Sequence, residues 1–166
     1  KQKTAYEILT CDWSSDVCSS DLEKLSGIDK QRATNDVWLD LNGLQGDRVA
    51  DHRFHGGPDR SLCHYPADHY RHWCRLYPHL QAIGPAAFGE NLSTLGLDER
   101  QVCIGDRFRW GDALIEVSQP RSPCSNLDRR HDAGGLARQL AKRGRTGWLY
   151  RTLRSEEHTS ELQSHV

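Results

Sequence analysis

The chain has 166 residues, with 22 Lys and Arg against 23 Asp and Glu, six cysteines and no methionine. No stretch approaches the roughly 18 consecutive apolar residues of a membrane-spanning helix, and no basic cluster marks a nucleic-acid surface. The length fits one domain of roughly 100–200 residues.

In chain order, the first run, KQKTAYEILTCDWSSDVCSSDL (1–22), pairs with the last, RSEEHTSELQSHV (154–166). Cys11–Leu22 back-translates to a DNA whose reverse complement, read in another frame, encodes Arg154–His165. Both runs resemble translated sequencing-library adapter, read from opposite strands. They are expected to be adapter-derived and not native, and fold reasoning sets them aside as it would an expression scar. Residues 23–153 are then expected to be one domain, incomplete at both ends, and the missing methionine fits an internal fragment. Without Lys1, Lys3 and Arg154, and without Glu7, Asp12, Asp16, Asp21, Glu156, Glu157 and Glu161, 19 basic residues face 16 acidic ones, a net charge near +3. That excess is too mild for a nucleic-acid binder. Cys11 and Cys18 leave with the first run, and Cys63, Cys74, Cys103 and Cys124 form no CxxC pair. Reduced thiols in a cytoplasmic protein are the expectation.

Short β-like runs bounded by turn residues dominate the retained segment. VWLDL (37–41) alternates ahead of NGLQGD, and SLCHY (61–65) follows HGGPD. Helical spacing of Tyr70, Trp73 and Cys74, behind a proline in the first turn, predicts a helix over 66–76. VCIGDRFRWG (102–111) reads as strand, Gly-Asp turn, strand, and ALIEVS (113–118) as a further strand. Leu136 and Leu140 form the apolar stripe of a second helix over 133–142, and GWLYRTL (147–153) is a last strand. The pattern predicts a mainly β barrel or sandwich with two accessory helices.

Four stretches carry candidate chemistry. HGGPDRSL (55–62) sets His55 and Arg60 around two glycines, which lets backbone N–H groups and a guanidinium fork converge on an anion; a tight turn explains it equally. His52, His55, Cys63, His64, His69, His72 and Cys74 are dense but match no common zinc spacing, and His69 and His72 read as solvated helix residues. In FGENL (88–92), Asn91 can donate two hydrogen bonds to a ligand or stabilise the turn. In SQPRSPC (118–124), two prolines stiffen a loop that presents Cys124 in one direction. Arg121 would favour the thiolate, and a soft thiolate suits a redox metal better than calcium or magnesium.

Taken together, GLQGD, HGGPDRSLCHYP, AFGENLSTLGL, IGDRFRWGDALIEVSQPRSPC and GWLY resemble, in order, the MOSC domain family, named for the C-terminal region of molybdenum cofactor sulfurases, in its bacterial YiiM-like branch. The resemblance implies a β-barrel-like domain that binds a molybdenum–pterin cofactor (molybdopterin). Cys124 is implied as metal ligand and catalytic residue, beside the dithiolene sulfurs of the pterin. Ser122, Arg121, Asn91 and Arg60, with Ser26 in LSGIDK, are implied cofactor contacts, Arg121 and Ser26 through its phosphate. The implied reaction reduces N-hydroxylated bases or related N-oxygenated compounds to amines, with electrons from an external reductase and no nucleic-acid or membrane partner. A cofactor carrier or sulfur-delivery module without turnover is the alternative, and a structural domain with an incidental cysteine is a third. Family members continue past GWLY with a further strand and a small helical region, so this chain is expected to leave a barrel edge open and to be inactive itself.

Overall fold

The computed structural model describes residues 6–10, 30–32, 37–47, 55–80 and 83–155, with backbone alone at 6–10 and 31–32. The described strands are β1 (Tyr6–Thr10), β2 (Gln31–Arg32), β3 (Leu62–Pro66), β4 (Leu92–Thr94), β5 (Arg107–Trp110), β6 (Ala113–Pro120) and β7 (Trp148–Arg154). They run in the order β2-β1-β4-β3-β7-β6-β5. Only the β3–β4 pair is parallel. The sheet curls on itself, so the architecture is mainly β and barrel-like, with the short helices α1 (Tyr70–Leu76), α2 (Asn126–Arg130) and α3 (Leu136–Lys142). No helix among the described residues is long and apolar enough to cross a membrane.

Period-two alternation sorts the side chains. Ala113, Ile115 and Val117 of β6 and Trp148 and Tyr150 of β7 are buried together with Leu62, Leu92, Leu39 and Leu44. On β3 the neighbours of Leu62 and His64 point the other way. Tyr65 joins Tyr70 and Trp73 of α1, Phe88, Leu127 of α2, and Leu136 and Leu140 of α3 in a second core. The Trp73 indole donates to the Tyr65 hydroxyl at 2.6 Å, which fixes α1 on the sheet. Each fully buried large apolar side chain contributes about 1.5–3 kcal/mol, so these two clusters carry most of the fold.

Several elements differ from expectation. Residues 37–41 form no strand; Leu39 and Leu44 instead bridge across a hairpin turn. Of 102–111 only Arg107–Trp110 is strand, although Gly105 and Asp106 also exchange backbone hydrogen bonds with Val117 of β6, both at 2.8 Å. The first helix is a 3-10 turn (Ala67–His69) running into α1, and the second starts at Leu136, after Gly135 at φ 80°. β7 extends to Arg154, with Ser155 buried beyond it, and β1 lies within the first run that was set aside. Strand addition at an open edge uses backbone groups alone, so β1 records which edge of β4 is available and not where its residues came from.

His69 is a clear correction. It is buried, not solvated, with Nε2 at 2.7 Å from Glu99, whose other oxygen accepts the Gly147 N–H at 2.8 Å. His64 is buried on the opposite face, 4.3 Å from the Trp148 ring and between the Tyr150 hydroxyl (3.1 Å) and the Thr94 hydroxyl (2.8 Å). Burial pushes its pKa down to about 3, so it is neutral at ordinary pH.

Gly147 is the tightest backbone contact in this region. Its φ is 70°, and a β-carbon there would lie 2.1 Å from the His64 carbonyl oxygen. Left-handed strain and overpacking together make Gly147→Ala cost about 3 kcal/mol. In thermal unfolding this appears as a fall of roughly 10 °C. An unchanged melting temperature would show that β3 and β7 approach less closely than described.

Candidate functional site

The cysteine loop is aimed by a bulge. The β6–β7 register slips between Val117 and Gln119, so Ser118 is the extra residue that bends β6 just before the loop. The Ser118 hydroxyl lies 2.6 Å from the Asp59 carbonyl oxygen and 3.0 Å from that of Leu149, and so clamps the 55–60 loop to this end of β6. Pro120 closes the ladder opposite Trp148, and the Arg121 N–H donates to the Gly147 carbonyl at 3.1 Å. Beyond the loop, the Leu127 N–H returns to the Cys124 carbonyl at 3.1 Å and Leu127 is fully buried. The Asp128 carboxylate then caps α3 by accepting from the N–H groups of Gly135 (3.0 Å) and Ala137 (2.7 Å). The cysteine loop is therefore anchored before Cys124 through Arg121 and after it through Leu127.

Cys124 itself is half-buried. Its pKa lies below the ordinary cysteine value, first because His55 hydrogen-bonds to the sulfur; burial opposes this, and the Asn126 N–H, the His55 charge and the Arg121 charge add to it. Arg121 does favour the thiolate, as its position in the sequence implies, but it is the smallest of these causes. The principal one is His55, immediately before Gly56 and Gly57, which the sequence offered as part of an anion turn and of a dense His/Cys region but not as a thiol partner.

Arg121 turns inward. Its Nη2 donates to the Phe88 carbonyl oxygen, and its buried Nη1 has no hydrogen-bond partner. Burial works against its charge, but Cys63, Glu90, Tyr65 and Cys124 surround it and hold it firmly protonated. Glu90 is fully buried and accepts from the Tyr70 hydroxyl and from the N–H groups of Ala86 and Phe88, both at 2.9 Å. Burial raises the Glu90 pKa against these hydrogen bonds and the Arg121 charge. Ala86 sits at φ 76°, a left-handed conformation uncommon for alanine, and the Glu90 carboxyl is what holds its N–H.

A second chain of contacts runs along β3. The Cys63 N–H donates to the Asn91 side-chain oxygen at 2.9 Å, the Asn91 N–H donates to the Cys63 carbonyl at 2.7 Å, and the Asn91 side-chain NH2 donates to Asp47 at 2.6 Å. Asp47 also pairs with the buried Lys30 ammonium. Burial pushes the Cys63 thiol up, in spite of nearby Arg121.

The structure thus brings Cys124, Arg121 and Asn91 to one side of β3, with Arg60 in the adjoining 3-10 turn Pro58–Arg60. Asn91 is engaged by protein at both ends of its amide, so its observed task is to position Cys63 and Asp47. Ser122 is exposed. Ser26 lies outside the described residues. The sequence reading passed over His55 as a thiol partner, Glu90 as a buried counter-charge and Cys63 as a second thiol beside Arg121. The only available signal was FGENL itself, an acid and an amide between apolar residues.

A profile of the MOSC domain matches residues 51–162. The chain is 50% identical over 128 residues to Protein YiiM of Escherichia coli strain K12, covering 76% of this chain and 57% of that protein. It is 36% identical over 135 residues to a protein of Gibberella moniliformis named Reductase, covering 80% of this chain and 24% of that one. The solved structure of Escherichia coli YiiM superposes with a TM-score of 0.74 at 37% identity, covering 93% of this chain and 64% of the other. The chain spans little more than half the length of the YiiM protein that it matches. With two thirds of its length inside the family profile, and the thiol, the curled sheet and the bulged β6 in one frame, the chain belongs to the MOSC domain family, in its YiiM-like branch.

Proposed function

We propose that the protein is a molybdenum-cofactor oxidoreductase of the MOSC family that reduces N-hydroxylated bases or related N-oxygenated compounds to amines. The observation that carries this reading is the pairing of a half-buried thiol, Cys124, with a buried guanidinium, Arg121, whose Nη1 has no protein partner. A buried donor without an acceptor costs about 1–3 kcal/mol, and an anionic group bound beside it removes that cost. The residues present therefore fit a ligand that offers both a soft metal and an oxyanion.

Cys124 would hold the metal as thiolate, with His55 and the Asn126 N–H fixing its sulfur. Arg121 would meet an anionic oxygen through Nη1, while the Phe88 carbonyl holds its Nη2 from the protein side. Ser122, Asn91, Arg60 and Ser26 complete the proposed cofactor contacts. When bound, the molybdenum–pterin group supplies two-electron redox chemistry, and an external reductase supplies the electrons. The name of the fungal relative supports the reductive direction. A carrier would bind the same cofactor and show no turnover, so assay with an N-hydroxylated base and a reductant, on the chain completed with the further strand and helical region of family members, separates the two.

The deciding experiment purifies the chain and its Cys124→Ser variant from a host that makes the cofactor, and measures molybdenum and pterin per chain. Molybdenum is expected in the parent chain and a loss of at least about tenfold in the variant, with circular dichroism unchanged. Equal molybdenum in both would remove Cys124 from the ligand set, and none in either folded protein would remove the cofactor reading.

The thiol has a separate signature. A cysteine with a lowered pKa is thiolate from a lower pH upward, so its alkylation rate rises with pH through that lowered value. In the cofactor-free chain, iodoacetamide followed by peptide mass spectrometry is expected to modify Cys124 with a midpoint below that of N-acetylcysteine, and Cys63 last of all. His55→Gln is expected to move the Cys124 midpoint up. An unmoved midpoint would show that His55 does not stabilise the thiolate.

A further inference from the structure

The two helices that cover the second core carry charge of one sign. Neither α1 (YRHWCRL) nor α3 (LARQLAK) contains an acidic residue. Arg71 and Arg75 lie one turn apart on α1, Arg138 and Lys142 one turn apart on α3, and all four are exposed. Arg143 and Arg145 follow α3, and His72 of α1 joins the two groups. After burial, the charges of Arg145, Arg143, His69 and Arg75 are what depress the His72 pKa. Among the described residues none of the six Arg and Lys side chains has a carboxylate partner. The nearby acids face backbone instead: Asp68 accepts from the Gly96 N–H at 2.7 Å, and Asp128 from those of Gly135 and Ala137. Beside Arg75, the Leu76 side chain is 40% exposed.

An apolar contact among exposed guanidinium groups has the make-up of a protein-docking surface, where arginine is enriched and lysine depleted. The interior beneath it leads to the thiol. The Tyr65 hydroxyl donates to the Arg145 carbonyl oxygen at 3.2 Å and accepts from the Trp73 indole at 2.6 Å. The Tyr65 ring meets Phe88 edge-on, with centroids 4.7 Å apart. The Phe88 carbonyl holds Arg121, whose charge acts on Cys124. Trp73, Tyr65 and Phe88 are fully buried, so this run of contacts crosses a packed core from the basic surface to the cysteine loop.

We propose that the α1–α3 surface docks an acidic electron-carrying protein, the external donor of the reduction, over the Trp73–Tyr65–Phe88 run. This deepens the function proposed above and rests on it. Reducing an N–OH group breaks the N–O bond and forms N–H and water, which consumes two electrons and two protons. Two one-electron carriers are oxidised per turnover, and solvent supplies the protons. Electron transfer through protein falls steeply with distance and is favoured by packed, hydrogen-bonded contacts, which this run provides. Encounters of this kind bury little area and are steered by charge, so the affinity is modest and falls as salt screens it.

The test titrates flavodoxin, an acidic one-electron flavin carrier, into the cofactor-free chain and follows binding by NMR at low and high salt. Saturable binding is expected at low salt, with shifts centred on α1 and α3 and a loss of about tenfold or more at high salt. The double variant Arg75→Glu, Arg143→Glu is expected to weaken binding about tenfold or more. Arg109→Glu, a charge reversal at an exposed position of β5, is expected to weaken it by less than about threefold. All these positions are on the surface, so circular dichroism should match the parent's. No flavodoxin binding, an unweakened double variant, or an equal loss in Arg109→Glu would each overturn the docking surface. Binding of phosphatidylglycerol vesicles or a DNA duplex through the same arginines, with flavodoxin silent, would overturn it in favour of a membrane or nucleic acid. Flavodoxin binding through Arg75 and Arg143 in a chain that takes up no molybdenum would sustain the surface and remove the cofactor reading. Molybdenum uptake by a chain that ignores flavodoxin would do the reverse.

Discussion

A guanidinium held out of water sets the terms for this site. Arginine cannot shed its proton, so a chain that buries one must surround it with negative charge and hydrogen-bond acceptors or lose stability. Here the one acceptor is the Phe88 carbonyl, and the Glu90 carboxyl and the thiols of Cys63 and Cys124, from elements far apart in sequence, act on the guanidinium through their charge alone. Meeting that demand draws the 86–91 loop, β3 and the cysteine loop together. Glu90 in turn needs Tyr70 and two backbone N–H groups to remain a useful counter-charge in so dry a place. One guanidinium thereby organises α1, β3 and the end of β6, and leaves Nη1 as the donor that the protein does not satisfy.

The opposite face of β3 shows the contrasting solution. His64 is buried too but can lose its proton, and it does, settling as a neutral ring against Trp148 between two hydroxyls. The two faces of a single strand thus divide the work: one is a neutral core that fixes the curl of the sheet, and the other concentrates charge. Gly147 joins them, since its N–H is held by Glu99, its carbonyl by Arg121, and its missing side chain lets it lie against His64.

The sequence foretold best what depends on neighbours along the chain. SLCHY, ALIEVS and GWLYRTL alternate because one face of each is buried, and all three became strands within a residue or two. β4 escaped notice because three residues, all buried, show no alternation. VWLDL alternates yet turns back, since Asp40 takes the Asn42 and Gly43 N–H groups in place of a ladder. Cys124 and Arg121 were visible in the stiff loop that bears them. The His55 contact was not, because nothing in a linear reading tells which loop will face which thiol. His69 looked solvated because its partner, Glu99, lies on a distant turn.

The two cysteines beside Arg121 show why proximity to a cation does not by itself make a reactive thiol. Both feel the same guanidinium, but the Cys63 pKa is raised and the Cys124 pKa is lowered. For Cys63 burial is the largest influence, and its backbone, not its sulfur, takes the hydrogen bonds of Asn91. For Cys124 the largest influence is a hydrogen bond to the sulfur itself from His55, with the Asn126 N–H adding to it. A charge at a few ångströms acts on both thiols, whereas a donor aimed at one sulfur stabilises that thiolate alone. The bulge at Ser118 and the clamp to Asp59 are what bring the His55 loop to Cys124 and keep it from Cys63. Selection between the two thiols is therefore a matter of loop geometry, set by one extra residue in a strand.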